Sequence, residues 1–120
     1  EPRYGKWTLP GGFLENGETV SQGAFRETLE ETDTEVKMGE LYSIFNVPQI
    51  NQVYMLYMAE VLHEDYSSTS ESLEVKFFSE EEIPWDELAF PFVPIVLKNY
   101  FSDLKAGTYP LTTHTIERRK

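Results

Sequence analysis

The stretch Gly12-Phe-Leu-Glu-Asn-Gly-Glu18-Thr-Val-Ser-Gln-Gly-Ala-Phe-Arg26-Glu27-Thr-Leu-Glu30-Glu31-Thr-Asp33-Thr34 governs the reading of the whole chain. At 3.6 residues per turn, Glu27, Glu30 and Glu31 stand at i, i+3 and i+4, so a helix here crowds three carboxylates onto one face within a single turn. Like charges at these spacings each destabilise a helix by about 0.2–0.5 kcal/mol. The simplest compensation is a hard divalent cation, Mg²⁺ or Mn²⁺. A solvated acidic face is the competing reading, because Glu fills 17 of the 120 positions. The fixed spacing of Gly12, Glu18, Arg26, Glu27, Glu30 and Glu31 weighs against it. At that Glu frequency a chance match is on the order of one in ten thousand over the chain.

Local signals place the helix. Asn16-Gly17 reads as a turn, Thr19 and Gln22 form a Thr-x-x-Gln capping box, and the helix is predicted to start at about Val20. Phe25 and Leu29 fall opposite the glutamates and are expected to anchor the helix to a sheet. Gly23 lies on the acidic side one turn earlier. A mid-helix glycine costs up to about 1 kcal/mol against alanine, and either room for a substrate or close packing of a neighbouring strand would compensate. Arg26 is always cationic and so is no metal ligand; it is expected to pair with Glu18 or a neighbouring glutamate and fix the loop against the helix. Glu18 has the alternative of reaching a metal directly.

With 120 residues and 13.9 kDa the chain reads as one domain, 1–120, with a single core. No apolar run approaches 18 residues and no leader pattern opens the chain, so a soluble, cytoplasmic protein is expected, or an organelle-stroma protein if the source is a plant. Cysteine is absent, which excludes disulfides and a thiolate nucleophile. A net charge of −11 repels nucleic acid and anionic membranes, so neither is an expected partner.

The stretch resembles the signature of the Nudix hydrolases: Gly, five residues, Glu, seven residues, Arg-Glu, aliphatic, any, Glu-Glu, any, Gly, aliphatic. Three positions depart from it: Thr28 and Thr34 stand for aliphatic residues, and Asp33 for the glycine that ends the helix. Asp enters the left-handed region more readily than most residues, so the helix stop can survive. The lead-in Trp7-Thr-Leu-Pro-Gly-Gly12 is similar to that of the family. Farther on, Glu71-Ser-Leu-Glu-Val-Lys-Phe-Phe-Ser-Glu-Glu-Glu-Ile-Pro-Trp85 and Leu88-Ala-Phe90 resemble the plant and bacterial pyrophosphatases that act on FAD and ADP-ribose.

The resemblance implies a mixed sheet between helices, the α/β/α sandwich of that superfamily, and a small-molecule nucleotide as partner. A homodimer is also in prospect, since relatives often dimerise. It implies that the Gly11 carbonyl, Glu27 and Glu31 hold Mg²⁺ or Mn²⁺, with Glu30 sharing a second ion or orienting water. The catalytic set is then Glu30, Glu31 and Glu71, a loop glutamate that completes the site or acts as base, with Glu74 as second choice. Gly12, Glu18 and Arg26 support this set, and Arg3 is a candidate for touching the substrate's phosphates. The reaction implied is cleavage of a pyrophosphate bond, giving AMP plus FMN or ribose 5-phosphate. NADH or nucleoside triphosphates are alternative substrates, and a non-catalytic nucleotide-binding module is a third reading. Family members carry strands ahead of the signature, so a fragment of a longer protein is expected here, whose missing part held strands and, as in some relatives, a zinc ribbon.

The remaining chain reads as strands at 35–38, 41–47 and 53–61, the last nearly continuous in apolar residues and so expected to be covered on both faces. Pro48 to Gln52 is a turn, His63 to Ser72 a polar loop, and Leu73 to Phe78 a strand. Glu80 to Leu88 is a short acidic helical turn broken by Pro84. A helix from Pro91 to Leu104 should bury Val93, Val96, Leu97 and Phe101 and close at Gly107. The tail carries a short strand. His63 and His114 lack metal-like spacing and read as surface residues. Tyr42, Phe45, Tyr54 and Phe90 are the aromatic candidates for stacking on adenine or flavin, with core packing as their commoner use.

Overall fold

The computed structural model describes residues 7–62 and 77–116. Its elements are α1 (Val20–Thr32), β1 (Val36–Val47), a 3₁₀ turn (Pro48–Ile50), β2 (Gln52–Val61), two further 3₁₀ turns (Glu80–Glu82 and Trp85–Glu87), α2 (Phe92–Ala106) and β3 (Thr112–Thr115). The strands form one sheet in the order β2-β1-β3. β3 runs parallel to β1 with Ser43 opposite Thr112 and Phe45 opposite His114. The Leu62 N–H donates to the Glu35 carbonyl, and Gly39 faces Met58. Numbers that rise on β1 while falling on β2 mean an antiparallel pair, as the four-residue connection requires. The sheet is therefore mixed, and with two helices it gives the expected α+β arrangement.

Residues 10–41 with 57–62 and 77 form one compact group; residues 7–9, 42–56 and 78–116 form another. The second group holds most of the core. Phe45 and Val93 are fully buried, and Tyr42, Val47, Ile83, Ala89, Phe92 and Val96 are buried around them. Phe45 lies between the rings of Phe92 (5.4 Å) and His114 (4.6 Å, interplanar 12°). Each such side chain contributes about 1.5–3 kcal/mol through burial. Tyr42 donates its hydroxyl to Asp103 at 2.6 Å, tying β1 to α2. Trp7 donates its N–H to the Glu87 carbonyl and accepts from Ala89, both at 2.7 Å, so the lead-in to the signature is stitched beside the segment that precedes α2.

Several expectations change. Gly39 and Glu40 do not break the strand, because β1 runs unbroken through them. A Cβ on Gly39 would sit 3.1 Å from the Met58 carbonyl, so the glycine serves a close backbone approach. β2 is not covered on both faces: Val53 is 60% exposed and Val61 41% exposed, two residues that share one face at the two-residue period of a strand. Phe92 joins the buried set of α2, while Leu97 and Phe101 are half-buried. His114 is no free surface residue, since its ring stacks on Phe45 and its Nε2 meets the Thr112 hydroxyl at 3.0 Å. Phe77 and Phe78 carry no strand; His63 and the rest of the expected 73–78 strand lie outside the described residues.

Candidate functional site

The signature helix forms for reasons local to its ends. Thr19 accepts the Gln22 N–H while Gln22 reaches back to the Thr19 N–H at 2.9 Å, the expected capping box. Asp33 stops the helix in the left-handed region (φ 54°, ψ 33°), and its N–H closes on the Leu29 carbonyl. The two threonines that replace aliphatic residues satisfy their hydroxyls at once. Thr28 donates to the Ala24 carbonyl at 2.9 Å, and buried Thr34 to that of Thr32 at 3.2 Å. Leu29 is 40% exposed and does not anchor the helix. Gly23 is the one buried residue of the helix. Phe25 is half-buried.

Arg26 is the hub. Its Nε donates to Glu18 Oε2 at 2.6 Å and its Nη2 to Glu18 Oε1 at 3.1 Å, a bidentate pair. Nη2 also donates to the Phe13 carbonyl at 3.1 Å, while Nη1 meets both Glu27 Oε2 and Glu30 Oε1 at 3.2 Å. Glu15 stands 3.6 Å away. Four carboxylates thus share one guanidinium. The Arg26 hydrogen bond, together with one from the Glu15 N–H, holds Glu18 below the usual carboxylate range, while bonding to Glu18 pushes the guanidinium's own pKa up. Of Glu18's two expected roles, partner to Arg26 is the one the geometry contains.

The glycines set the other contacts. The Gly11 N–H donates to Glu31 Oε1 at 3.2 Å. A Cβ on Gly12 would lie 2.3 Å from Glu27 Oε2 and 2.6 Å from its Cδ, so the loop backbone lies directly on that carboxylate. Gly11, Gly12, Glu18, Arg26, Glu27, Glu30 and Glu31 therefore come together as expected. Arg3, Glu71 and Glu74 lie outside the described residues. Sequence reasoning missed Glu15, which the Glu15-x-x-Glu18 spacing could have suggested, and Leu14, whose side chain occupies the space left by Gly23.

The donor set is all oxygen, three carboxylates and a backbone carbonyl, which suits a hard cation. Among the described residues no three acidic or histidine side chains converge on one point, because Glu27 and Glu30 lean on Arg26 and Glu31 on Gly11. The chemistry fits a hard divalent cation, since a carboxylate that accepts one hydrogen bond still has lone pairs to offer.

In the second group of residues, a cavity of about 170 Å³ is lined by Val47, Ile50, Tyr54, Phe90, Phe92 and Ile116, among others. Phe90 sits at φ 66°, a genuine outlier for a bulky residue. Tyr54 and Phe90 thus line a cavity, whereas Tyr42 and Phe45 are spent on the core. Among the described residues no helix is long and apolar enough to cross a membrane.

Comparison with known proteins agrees with this picture. The chain is 30% identical over 103 residues to an ADP-ribose pyrophosphatase of Methanocaldococcus jannaschii, covering 82% of this chain and 59% of the relative. It is 32% identical over 89 residues to the oxidized purine nucleoside triphosphate hydrolase of Mus musculus, covering 70% and 56%. This chain therefore spans little more than half the length of either curated relative. A crystal structure of a NUDIX hydrolase from Nitrosomonas europaea superposes with a TM-score of 0.94 at 46% identity, over 98% of this chain and 67% of that one. Residues 1–98 match the NUDIX domain, and with the glutamate helix, its arginine hub and the glycine loop all in place, the chain belongs to the NUDIX family and has its fold.

Proposed function

We propose that this domain hydrolyses the pyrophosphate bond of a nucleoside diphosphate linked to a second moiety, with ADP-ribose and FAD as first candidates, and that it depends on Mg²⁺ or Mn²⁺. The observation that carries the reading is the seating of Glu27 against Gly12 beside Glu30 and Glu31, an acidic cluster whose four Arg26-linked carboxylates have a single guanidinium between them. Such an excess of negative charge favours a divalent cation. Glu27, Glu31 and the Gly11 carbonyl would hold it, with Glu30 beside them. When bound, the ion neutralises the diphosphate and lowers the pKa of water.

The chain's own groups do the rest. Arg26 clamps the loop to α1 through Phe13 and Glu18, so that the Gly11 carbonyl and Glu27 keep their relative positions. Glu30, 43% exposed at its side chain, is open to water and suited to take the proton from the attacking molecule as the new P–O bond forms and the bridging P–O bond breaks. The departing phosphate carries the bridging oxygen. The ADP-ribose reading is supported by the archaeal relative. FAD rests on the likeness of 71–90 to FAD and ADP-ribose pyrophosphatases. A nucleoside triphosphate is the second reading, favoured by the mouse relative.

The test is a panel of ADP-ribose, FAD, NADH and an oxidised purine triphosphate, each offered with Mg²⁺ or Mn²⁺ and resolved by chromatography, with Glu31→Gln beside the parent chain. The expected result is AMP from a diphosphate substrate and its loss in the variant. Cleavage of none of the four, or full turnover by Glu31→Gln, overturns the reading.

A further inference from the structure

Gly23 is a costly residue to place inside a 13-residue helix, yet it is the helix's one buried residue. A Cβ there would meet Leu14 Cδ2 at 2.5 Å and Glu18 Oε1 at 3.3 Å. Among the described residues the loop ahead of the helix fills the space. Leu14 is 51% exposed, and its Cδ2 lies over the gap in the helix left by the missing side chain.

Leu14 is flanked by the two loop groups that Arg26 holds. The Phe13 carbonyl accepts Nη2, and Glu18, braced by the Glu15 N–H at 2.9 Å, accepts Nε and Nη2. Gly23 precedes Arg26 and Glu27 by three and four residues, directly above them on the same helical face.

We propose that Leu14 and Gly23 form a steric key that sets the height of the 13–18 loop on α1, making both positioning residues for the glutamate cluster. Arg26 fixes the loop by charge, but a guanidinium tolerates several arrangements of carboxylates. The key selects the one in which Gly12 lies on Glu27. The proposal rests on the hydrolase reading only for its effect on turnover.

The prediction concerns two variants and their combination. Gly23→Ala improves helix propensity, so its Tm holds or rises, yet its methyl, 2.5 Å from Leu14 Cδ2 and 3.3 Å from Glu18 Oε1, must turn Leu14 out of its place and press on the carboxylate that Arg26 holds. Leu14→Ala empties the seat. In the double variant the alanine methyl relieves the clash and refills part of the volume that Leu14 vacates. The direct readout is the ¹⁵N–¹H signal of Arg26 Nε, held by Glu18: protection from solvent exchange should fall in each single variant and return in the double. Turnover should follow, with kcat down by about tenfold to a hundredfold in the singles at unchanged KM, and recovered in the double. Leu29→Ala, an exposed apolar truncation on the same helix, should change neither.

Unchanged Arg26 protection in Gly23→Ala overturns the key, as does a double variant worse than both singles. If the parent chain cleaves nothing, the hydrolase reading falls alone, and the Arg26 signal still decides the key.

Discussion

Gly12→Ala isolates the position of one carboxylate. A methyl at residue 12 would lie 2.3 Å from Glu27 Oε2, 2.6 Å from Cδ and 3.0 Å from Oε1, whereas ordinary contact begins at 3.4 Å. The carboxylate must therefore retreat by about 1 Å. The obstacle is the far end of a flexible side chain, so the fold accommodates the change. Moreover, alanine orders the unfolded chain relative to glycine, a gain of about 0.4–1 kcal/mol where the backbone angles are compatible, and Gly12 is not among the positive-φ glycines. Stability should thus stay within about 1 kcal/mol of the parent in urea unfolding. Function should not. A displacement of that size at a reacting centre costs on the order of 100-fold in rate. Mn²⁺ affinity by titration and kcat on the best substrate should both drop, and Gly12→Ala combined with Glu27→Asp, which withdraws the carboxylate by one methylene, should recover part of each. A stable Gly12→Ala variant with parental Mn²⁺ affinity and turnover would refute the claim that the glycine exists to seat Glu27.

Three further outcomes are expected. Asp33→Gly should hold stability or raise it by up to about 1 kcal/mol, and Asp33→Val should lower it by at least about 1 kcal/mol, because the position requires φ near +54°; urea midpoints decide. Tyr42→Phe should cost about 1.5–3 kcal/mol through the lost bond to Asp103. Burial, then that bond, raises the Tyr42 pKa, so the parent holds its full stability below the ordinary value of 10 and loses it as pH climbs beyond; the Phe variant should lose less over that alkaline range in thermal scans. Glu18 has a lowered pKa, so its contribution is present above the ordinary value of 4.5 and disappears as pH falls through the folded-state value; acid titration followed by circular dichroism should show a shallower slope for Glu18→Gln.

What could be read from sequence was whatever local chemistry decides. The start of α1 at Val20 follows from Thr19 and Gln22, its stop from Asp33, and the close of α2 from Gly107 at φ 82°. The common face of Glu27, Glu30 and Glu31 followed from spacing, the pairing of Arg26 with Glu18 from its fixed charge, and the place of Gly11 and Gly12 beside them from the family resemblance. Readings that depend on distant partners were less secure. Gly39 looks like a strand breaker until the Met58 carbonyl lies against it, and Leu29 looks like an anchor yet is 40% exposed. Val53 and Val61 read as buried by composition alone, yet the face they share is left open. Gly23 was recognised as needing a tenant; only coordinates identify that tenant as Leu14.

The sharing of Arg26 among Glu15, Glu18, Glu27 and Glu30 bears on how any glutamate scan of this chain must be interpreted. Removing one acceptor hands its donor to the remaining three, so a neutralised position is partly healed by its neighbours, and losses from single replacements will not sum to the loss from several. Ranking these acids by one-at-a-time substitution would understate each of them. Paired replacements, scored as thermodynamic cycles, are what assign the work.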